Sequence, residues 1–267
     1  MKFTTKTVFV LSTLMAATAA MAQAKAPEPD YTLAYNVGVV SDYRVRGISQ
    51  TSFKPALQAG IDFAHKSGFY LGTFVSNVDW VKELNGATKG SYELDLYGGY
   101  KGSITNDVGF DVGAITYRYP GNDSGVANPG KGIAAGAFSN ANTTEVYGAL
   151  SYKMFNFKYS RSSGDFLGNT NSSGSQYFDL NANFDLGNGY TLTPHIGRQK
   201  IPGQIPSGVG DYTDYSLAIA KDFGNGLVAS AAAIGTNTNK GVGTFYRDTN
   251  GKDLGKNTVV VGLKYNF

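Results

Sequence analysis

The sequence predicts an all-β protein: a transmembrane antiparallel up-and-down β-barrel of about 12 strands, with short periplasmic turns and long extracellular loops. Three observations predict this fold. About twelve segments of about ten residues alternate apolar with polar side chains, which is the period of a strand with two different faces. The connections between these segments are alternately short and long. The chain also begins with an export signal and has no apolar run long enough to cross a membrane as a helix.

The alternation places the strands within a few residues at each end. They cover 32–46, 54–65, 68–79, 90–101, 107–118, 143–153, 155–163, 175–186, 189–199, 212–223, 226–236 and 257–267. In the segments 68–79 and 226–236 the pattern does not show which face is apolar. The last strand ends in Tyr265 and Phe267 on its apolar face, which resembles the closing strand of bacterial outer-membrane barrels. We interpret these two residues as the insertion signal.

The connections sort into two classes. Short turns rich in Asn and Gly, such as Gly187-Asn188-Gly189 and Gly224-Asn225-Gly226, supply the positive φ angles of tight hairpins. Every other connection is longer: 47–53, 80–89, 119–142, 164–174, 200–211 and 237–256. This asymmetry is typical of outer-membrane barrels, and an even strand number places both termini on the periplasmic side.

The N-terminus has the features of a secretory signal. Lys2 and Lys6 precede a short apolar run that ends in the small residues Ala20-Met21-Ala22, with Ala22-Gln23-Ala24 as a competing cleavage site. The predicted organisation is a signal peptide at 1–22, a periplasmic leader at 23–31 and the barrel at 32–267.

Composition excludes several classes of function. The net charge is +3, and loss of the two signal lysines leaves a nearly neutral chain, so nothing favours a nucleic-acid partner. With no cysteine and only two histidines, a disulfide framework and a transition-metal site lack their side chains. We expect no cofactor and no metal.

Aromatic residues concentrate near the ends of the predicted strands. We expect two girdles at the two membrane interfaces. The short-turn girdle comprises Phe69, Tyr70, Tyr100, Phe110, Tyr152, Phe155, Tyr190, Phe223 and Phe267, and the long-loop girdle Tyr43, Trp80, Tyr117, Tyr119, Tyr177 and Tyr212.

The N-terminal third carries long, ordered motifs. Asn36 to Thr51 reads NVGVVSDYRVRGISQT, and Tyr92 to Tyr100 reads YELDLYGGY. Together with the Gly68-Phe69-Tyr70-Leu71-Gly72-Thr73 segment, they resemble the TorF-type porin family, catalogued as Gcw_chp conserved hypothetical proteins. The resemblance implies an outer-membrane barrel called a porin by inference, assembled with a periplasmic chaperone and the barrel-insertion machinery. It implies no substrate and no catalytic residue.

Strand parity selects the residues that face the lumen. These pore-lining candidates are Asp42, Arg44, Arg46, Asp62, Glu93, Asp95, Asp111, Glu145, Lys158, Asp179, Asp185 and Lys264. Because the first strand pairs with the last in a closed barrel, we expect Arg44 and Arg46 on the same wall as Lys264. Such charges either line a narrow open pore or pair across strands and plug it, and we favour some open pore.

The two arginines have two readings. Arg44 and Arg46 form a constriction that favours anions, or they anchor the first long loop against Asp42 or Asp62. The sequence alone favours neither.

Two rival functions remain. A lipid hydrolase needs a nucleophile and a base in contact, and only His65 and His195 are available as the base, without a nucleophile-elbow motif. A surface barrel would bind partners through its loops, and the connection 119–142 is the best candidate for an inward lid or a contact surface. We favour a channel for passive diffusion of small hydrophilic solutes, exported to the lipid of a Gram-negative outer membrane.

Overall fold

A computed structural model describes residues 29–267 of the chain. The predicted signal peptide and most of the predicted leader lie outside the described residues. The strands are Tyr31–Val40 (β1), Arg44–Val45 (β2), Ile48–Ser49 (β3), Ala56–His65 (β4), Phe69–Asn77 (β5), Tyr92–Ser103 (β6), Val108–Arg118 (β7), Thr143–Tyr152 (β8), Phe155–Ser162 (β9), Gln176–Ala182 (β10), Phe184–Gly187 (β11), Tyr190–Lys200 (β12), Tyr212–Asp222 (β13), Leu227–Thr236 (β14) and Thr258–Asn266 (β15). The helices are Trp80–Glu83 (α1) and a 3₁₀ turn at Pro129–Lys131.

The strands close into an antiparallel barrel of 12 strands, which confirms the predicted fold. Neighbours in sequence are neighbours in the sheet, and β15 pairs with β1 to close it. β10 and β11 are two halves of one barrel strand, because both pair with β12. β2 and β3 pair only with each other and stand apart from the wall.

The first strand is shorter than predicted. The alternation suggested a strand over 32–46, but β1 ends at Val40. The chain turns there because the Asp42 carboxylate accepts hydrogen bonds from Ser49 Oγ and from Arg44 Nε, both at 2.6 Å. Asp42, Arg44 and Arg46 therefore lie in the first long connection and not on the barrel wall, which corrects their predicted placement by strand parity.

The outer surface is an apolar band. Val259, Val261 and Leu263 of β15 are all more than half exposed on it, while the residues between them face the lumen. The structure also resolves the two ambiguous strands: β5 turns Leu71 and Val75 outward, and Thr236 of β14 faces inward opposite Asp214. A hydrophobic exterior with all wall backbone groups paired suits a lipid environment.

The structure agrees with one of the two predicted aromatic girdles and not with the other. Most aromatics near the short turns are exposed on the outside, as expected: Phe69, Tyr100, Tyr152, Phe155, Tyr190, Phe223 and Phe267. The long-loop girdle is wrong, because Trp80, Tyr119, Tyr177 and Tyr212 are buried. They lie inside the barrel mouth or beneath the loops, where the Trp80 and Tyr119 rings pack edge to face at 5.0 Å.

Apolar packing is concentrated at the long-loop end. One cluster comprises Val78, Trp80, Val81, Ala87, Tyr119 and Ala141, and a second comprises Ile48, Tyr212, Tyr246 and Leu254. Both clusters join loops to each other and to strand ends. The long loops consequently form a packed cap, while the rest of the barrel interior is polar.

The inside–outside assignment can be tested on β13. Leu217 lies at mid-strand on the outer surface, and its neighbour Ala218 faces the lumen. We expect Leu217→Arg to lower the free energy of unfolding in lipid vesicles by about 3 kcal/mol, because a charge at the bilayer midplane loses its hydration. Ala218→Arg is the matched control and should cost much less, since the lumen is polar. Equal losses in urea titrations of the two variants would contradict the assignment.

Candidate functional site: the lumen and its constriction

The first long connection enters the barrel as a tight hairpin. β2 and β3 pair through Val45 and Ile48, leaving Arg46 and Gly47 as the two turn residues. Their φ angles are 49° and 77°, as in the type I′ turns that suit two-residue hairpins. The hairpin β2–β3 is thus a rigid body, with Arg46 at its tip.

Arg46 reaches the far wall of the barrel. Its guanidinium donates to Glu145 Oε2 at 2.6 Å and to Gln199 Oε1 at 2.8 Å, and it lies 4.3 Å from the centre of the Tyr177 ring. These partners belong to β8, β12 and β10, which lie across the barrel from β1 and β4, where the hairpin originates. The hairpin therefore spans the lumen, and the expectation that Arg46 shares a wall with Lys264 is wrong.

Gly47 lets the hairpin approach a second wall. A Cβ atom at this position would lie 2.6 Å from Thr236 Cγ2 and 2.8 Å from Asp214 Cβ. Such distances are shorter than any ordinary carbon contact, so only glycine fits between the hairpin and β13–β14. Together with the contacts of Arg46 to β8, β10 and β12, the tip therefore contacts five strands of the far wall.

Arg44 has the second of the two predicted roles, that of an anchor. It forms an ion pair with Asp42 at 2.6 Å, and its Nη1 donates to the carbonyls of Gly47, Leu254 and Lys256. These contacts hold the base of the hairpin to itself and to the last long loop. Arg46 anchors the tip of the hairpin and also lines the two cavities beside it, while its pairing with Glu145 does not support the predicted preference for anions.

Two adjoining cavities run beside the hairpin. The larger has an empty volume of about 500 Å³, opens to solvent and is mostly apolar, with Trp80, Phe166 and Tyr246 among its walls. The smaller, of about 240 Å³, lies between Arg46 and the β6–β7 wall, where Glu93 lines it. The constriction is therefore defined on one side by Arg46 and on the other by carboxyl and tyrosine side chains.

Glu93 is held by two tyrosines from outside the barrel wall. Tyr43 OH donates to its Oε1 at 2.5 Å and Tyr119 OH to its Oε2 at 2.6 Å. Burial, together with the charges of Glu93 and Asp95, raises the pKa of both phenols well above the usual 10.0. The two hydroxyls consequently stay protonated and act as donors. Asp95 follows on the same inner face of β6 and has no such partner.

Below the hairpin, tyrosines bind the acidic side chains. Tyr97 OH donates to Asp62, and Tyr70 OH donates to Asp111 at 2.6 Å. The two predicted lumen lysines lie among them. Lys158 Nζ stands 3.8 Å from the centre of the Tyr147 ring, and Lys264 faces the lumen near Asp62. Acidic and basic side chains therefore line this part of the interior, and their role in a pore stays a prediction.

A histidine lies between two carboxylates on the same interior. His195 Nε2 is 2.7 Å from Asp214 Oδ1, and its Nδ1 is 3.2 Å from Asp179 Oδ1 and 3.0 Å from Asn181 Oδ1. Tyr177 OH also donates to Asp214, at 3.0 Å. Sequence reasoning missed Asp214 and Tyr177 as interior residues. Alternation along β13 could have identified Asp214.

The remaining predicted site residues lie at the short-turn end. Asp185 is exposed, and its carboxylate accepts from the Gly187 backbone N–H at 2.8 Å, so it belongs to a turn and not to the constriction. Tyr265 and Phe267 pack with ring centres 5.0 Å apart on the outer surface. Their role as an insertion signal stays a prediction.

The connection 119–142 does not enter the lumen in the way that the first connection does. It packs on α1, where Lys131 Nζ donates to Glu83 Oε2 at 2.7 Å, and its tip is exposed at Val126.

Across residues 29–267, no helix is long and apolar enough to span a bilayer. Over the same range, no three acidic or histidine side chains are arranged to hold a metal ion.

The chain was compared with protein families. A family model described as "Bacterial protein of unknown function (Gcw_chp)" matches residues 23–267. The chain belongs to this family. The family assignment that the N-terminal motifs suggested is therefore confirmed, while the TorF-type label stays a prediction. No curated protein sequence matches the chain.

Solved structures share the architecture of this Gcw_chp protein. A KdgM porin in complex with disordered oligogalacturonate aligns with a TM-score of 0.52 at 9% identity, over 88% of this chain and 98% of that one. The NanC porin aligns with a TM-score of 0.51 at 10% identity, over 88% and 99% of the two chains. At these identities the likeness establishes the fold alone.

Gly47→Ala tests the contact between the hairpin and the wall. We expect a loss of about 2–3 kcal/mol in the free energy of unfolding, because a left-handed φ and an overpacked contact combine. Gly121→Ala is the matched control: φ is 73° there and nothing lies within 4 Å, so it should lose only about 1 kcal/mol. Equal losses in the two variants would show that the wall does not confine the hairpin.

Arg46→Met tests the bond across the lumen. Removing the guanidinium leaves Glu145, whose side chain is 1% exposed, without its cation, and we expect a loss of about 3–5 kcal/mol. The double variant Arg46→Met/Glu145→Leu should recover part of this loss, because no uncompensated charge remains. Unfolding titrations of both variants provide the measurement. A double variant that is as unstable as the sum of the two single variants would contradict the pairing.

Proposed function

We propose that this Gcw_chp protein is an outer-membrane channel for passive diffusion of small hydrophilic solutes or ions. The observation that carries the proposal is the contrast between its two surfaces. The outer face of the closed barrel is apolar, and the inner face carries Asp62, Asp111, Lys158 and Lys264 below the constriction. A polar, charged interior is the lining that a water-filled path requires.

The orientation follows the usual asymmetry of such barrels. Short turns face the periplasm and long loops face outward, which places both termini on the periplasmic side. The hairpin β2–β3 then constricts the extracellular end of the lumen. On the periplasmic side of the hairpin, several inward residues of β13–β15 are small, including Ala218, Ser230 and Gly262.

We do not propose the oligogalacturonate of the KdgM porin structure as a solute of this protein. That structure holds an oligogalacturonate, a chain of sugar carboxylates. At the hairpin tip of this chain, Arg46 is already paired with Glu145, Glu93 lines the cavity beside it, and Asp214 packs against Gly47. Such a constriction disfavours a polyanion.

An enzymatic role is not proposed. His195 contacts Asp179, Asp214 and Asn181, and the hydroxyl that contacts it is that of Tyr177, at 3.3 Å. A hydrolase of this kind needs a serine at that distance. Among the described residues, no serine forms a hydrogen bond with His195.

Single-channel recording tests the proposal. The refolded mature chain should give discrete, small conductance steps in a planar bilayer, because the hairpin leaves only a narrow passage. Heat-modifiable migration on gels verifies that the barrel is folded. A folded barrel that passes no current at any voltage would overturn the channel and favour a surface barrel that acts through its loops.

A further inference from the structure

Among the described residues, one buried acid in the lumen has an oxygen without a hydrogen-bond partner. Asp95 is 6% exposed, and its Oδ1 atom is fully enclosed without a hydrogen bond. None of the ion pairs formed within residues 29–267 includes Asp95 or its neighbour Glu93. A buried carboxylate without a donor or a cation is strongly destabilising, so such a group requires an explanation.

A second buried carboxylate, that of Glu93, lies beside Asp95 and also needs a donor or a cation. Glu93 is 1% exposed and lies two residues earlier on β6, on the same inner face. Both of its oxygens accept hydrogen bonds from tyrosines, which offset only part of the cost of burying a carboxylate. The nearby guanidinium of Arg46 is already bound to Glu145. Glu93 and Asp95 therefore lie next to each other on the inner face of β6, and neither forms an ion pair with another described residue.

Aromatic rings surround these acids. On the neighbouring strands, Phe74 and Tyr117 stand directly opposite Asp95. The Tyr43 ring packs 5.8 Å from that of Phe74. Carboxylates combined with aromatic faces are the chemistry that recognises organic ammonium groups, through charge and through cation–π attraction.

Glu93 can be reached from outside the barrel. Together with Tyr117 and Tyr119 it lines the 240 Å³ cavity beside the hairpin, and that cavity adjoins the larger cleft, which opens to solvent. An ammonium group that enters this cavity therefore meets Glu93 first.

We propose that Glu93 and Asp95 form a cation subsite in the permeation path, and that the solutes it favours carry an ammonium group. The subsite rests on the proposed channel for its role in transport, but cation binding itself does not require conduction. An ammonium group at this position compensates both carboxylates and makes the passage cation-selective.

Reversal potentials under a KCl gradient test the selectivity. The unmodified barrel should favour K⁺ over Cl⁻, and Asp95→Asn and Glu93→Gln should each reduce that permeability ratio at least about twofold. Asp185→Asn removes the same charge at an exposed turn and should leave the ratio unchanged. A ratio unaffected by Asp95→Asn means that this carboxyl is neutral, and it overturns the subsite.

Binding can be measured without current. The single tryptophan, Trp80, packs against Tyr119, whose hydroxyl donates to Glu93, so its fluorescence reports on the site. Methylammonium chloride should change the emission of the folded barrel in detergent saturably, and Asp95→Asn should abolish the change. Sodium chloride at equal ionic strength is the control.

The two measurements separate two failures. Saturable methylammonium binding in a barrel that never conducts would support the proposed subsite and contradict the proposed channel. Conduction without methylammonium binding would support the channel and contradict the subsite. An equal response to sodium chloride overturns the assignment to an ammonium group. Glu93→Gln provides a second variant if Asp95→Asn does not refold.

Discussion

The structure depends on one constraint: a wall surrounded by lipid must pair all its backbone N–H and C=O groups within the protein. The pairing of β15 with β1 meets this constraint, with Val37 opposite Tyr265, and removes both sheet edges. Closure then fixes the rest of the wall. Because each strand has neighbours on both sides, one set of alternate residues must face lipid and the other must face the lumen.

The lumen in turn limits what the first connection can do. A hairpin that enters a barrel must satisfy its polar groups there, and Arg46 does so by binding Glu145 and Gln199 on the far wall. Arg44 serves the base of the same hairpin through backbone carbonyls. One short segment thus crosses the lumen at the long-loop end, and the smaller of the two cavities lies between its tip and Glu93.

Local patterns predicted the wall well. The count of twelve strands and the closure follow from a period of two and from Asn-Gly turns, both of which act over a few residues. The entry of the hairpin could not be predicted, because its bonds join residues 99 and 153 positions apart. Alternation also continued past Val40 by coincidence, which misplaced Asp42, Arg44 and Arg46 on the wall. The loop-side aromatics were misplaced for a related reason: burial beneath loops and exposure to an interface favour the same residue types.

The central claim is a hydrophilic lumen that the hairpin β2–β3 constricts. The chain has no cysteine, so single cysteines can be labelled with a membrane-impermeant thiol reagent in vesicles. Ser230→Cys, on the wide part of the inner face, should react readily, while Leu217→Cys, on the lipid face, should not react. Thr236→Cys, packed against the hairpin, should react much more slowly than Ser230→Cys. Rapid labelling at position 217, or equal rates at 236 and 230, would contradict the account.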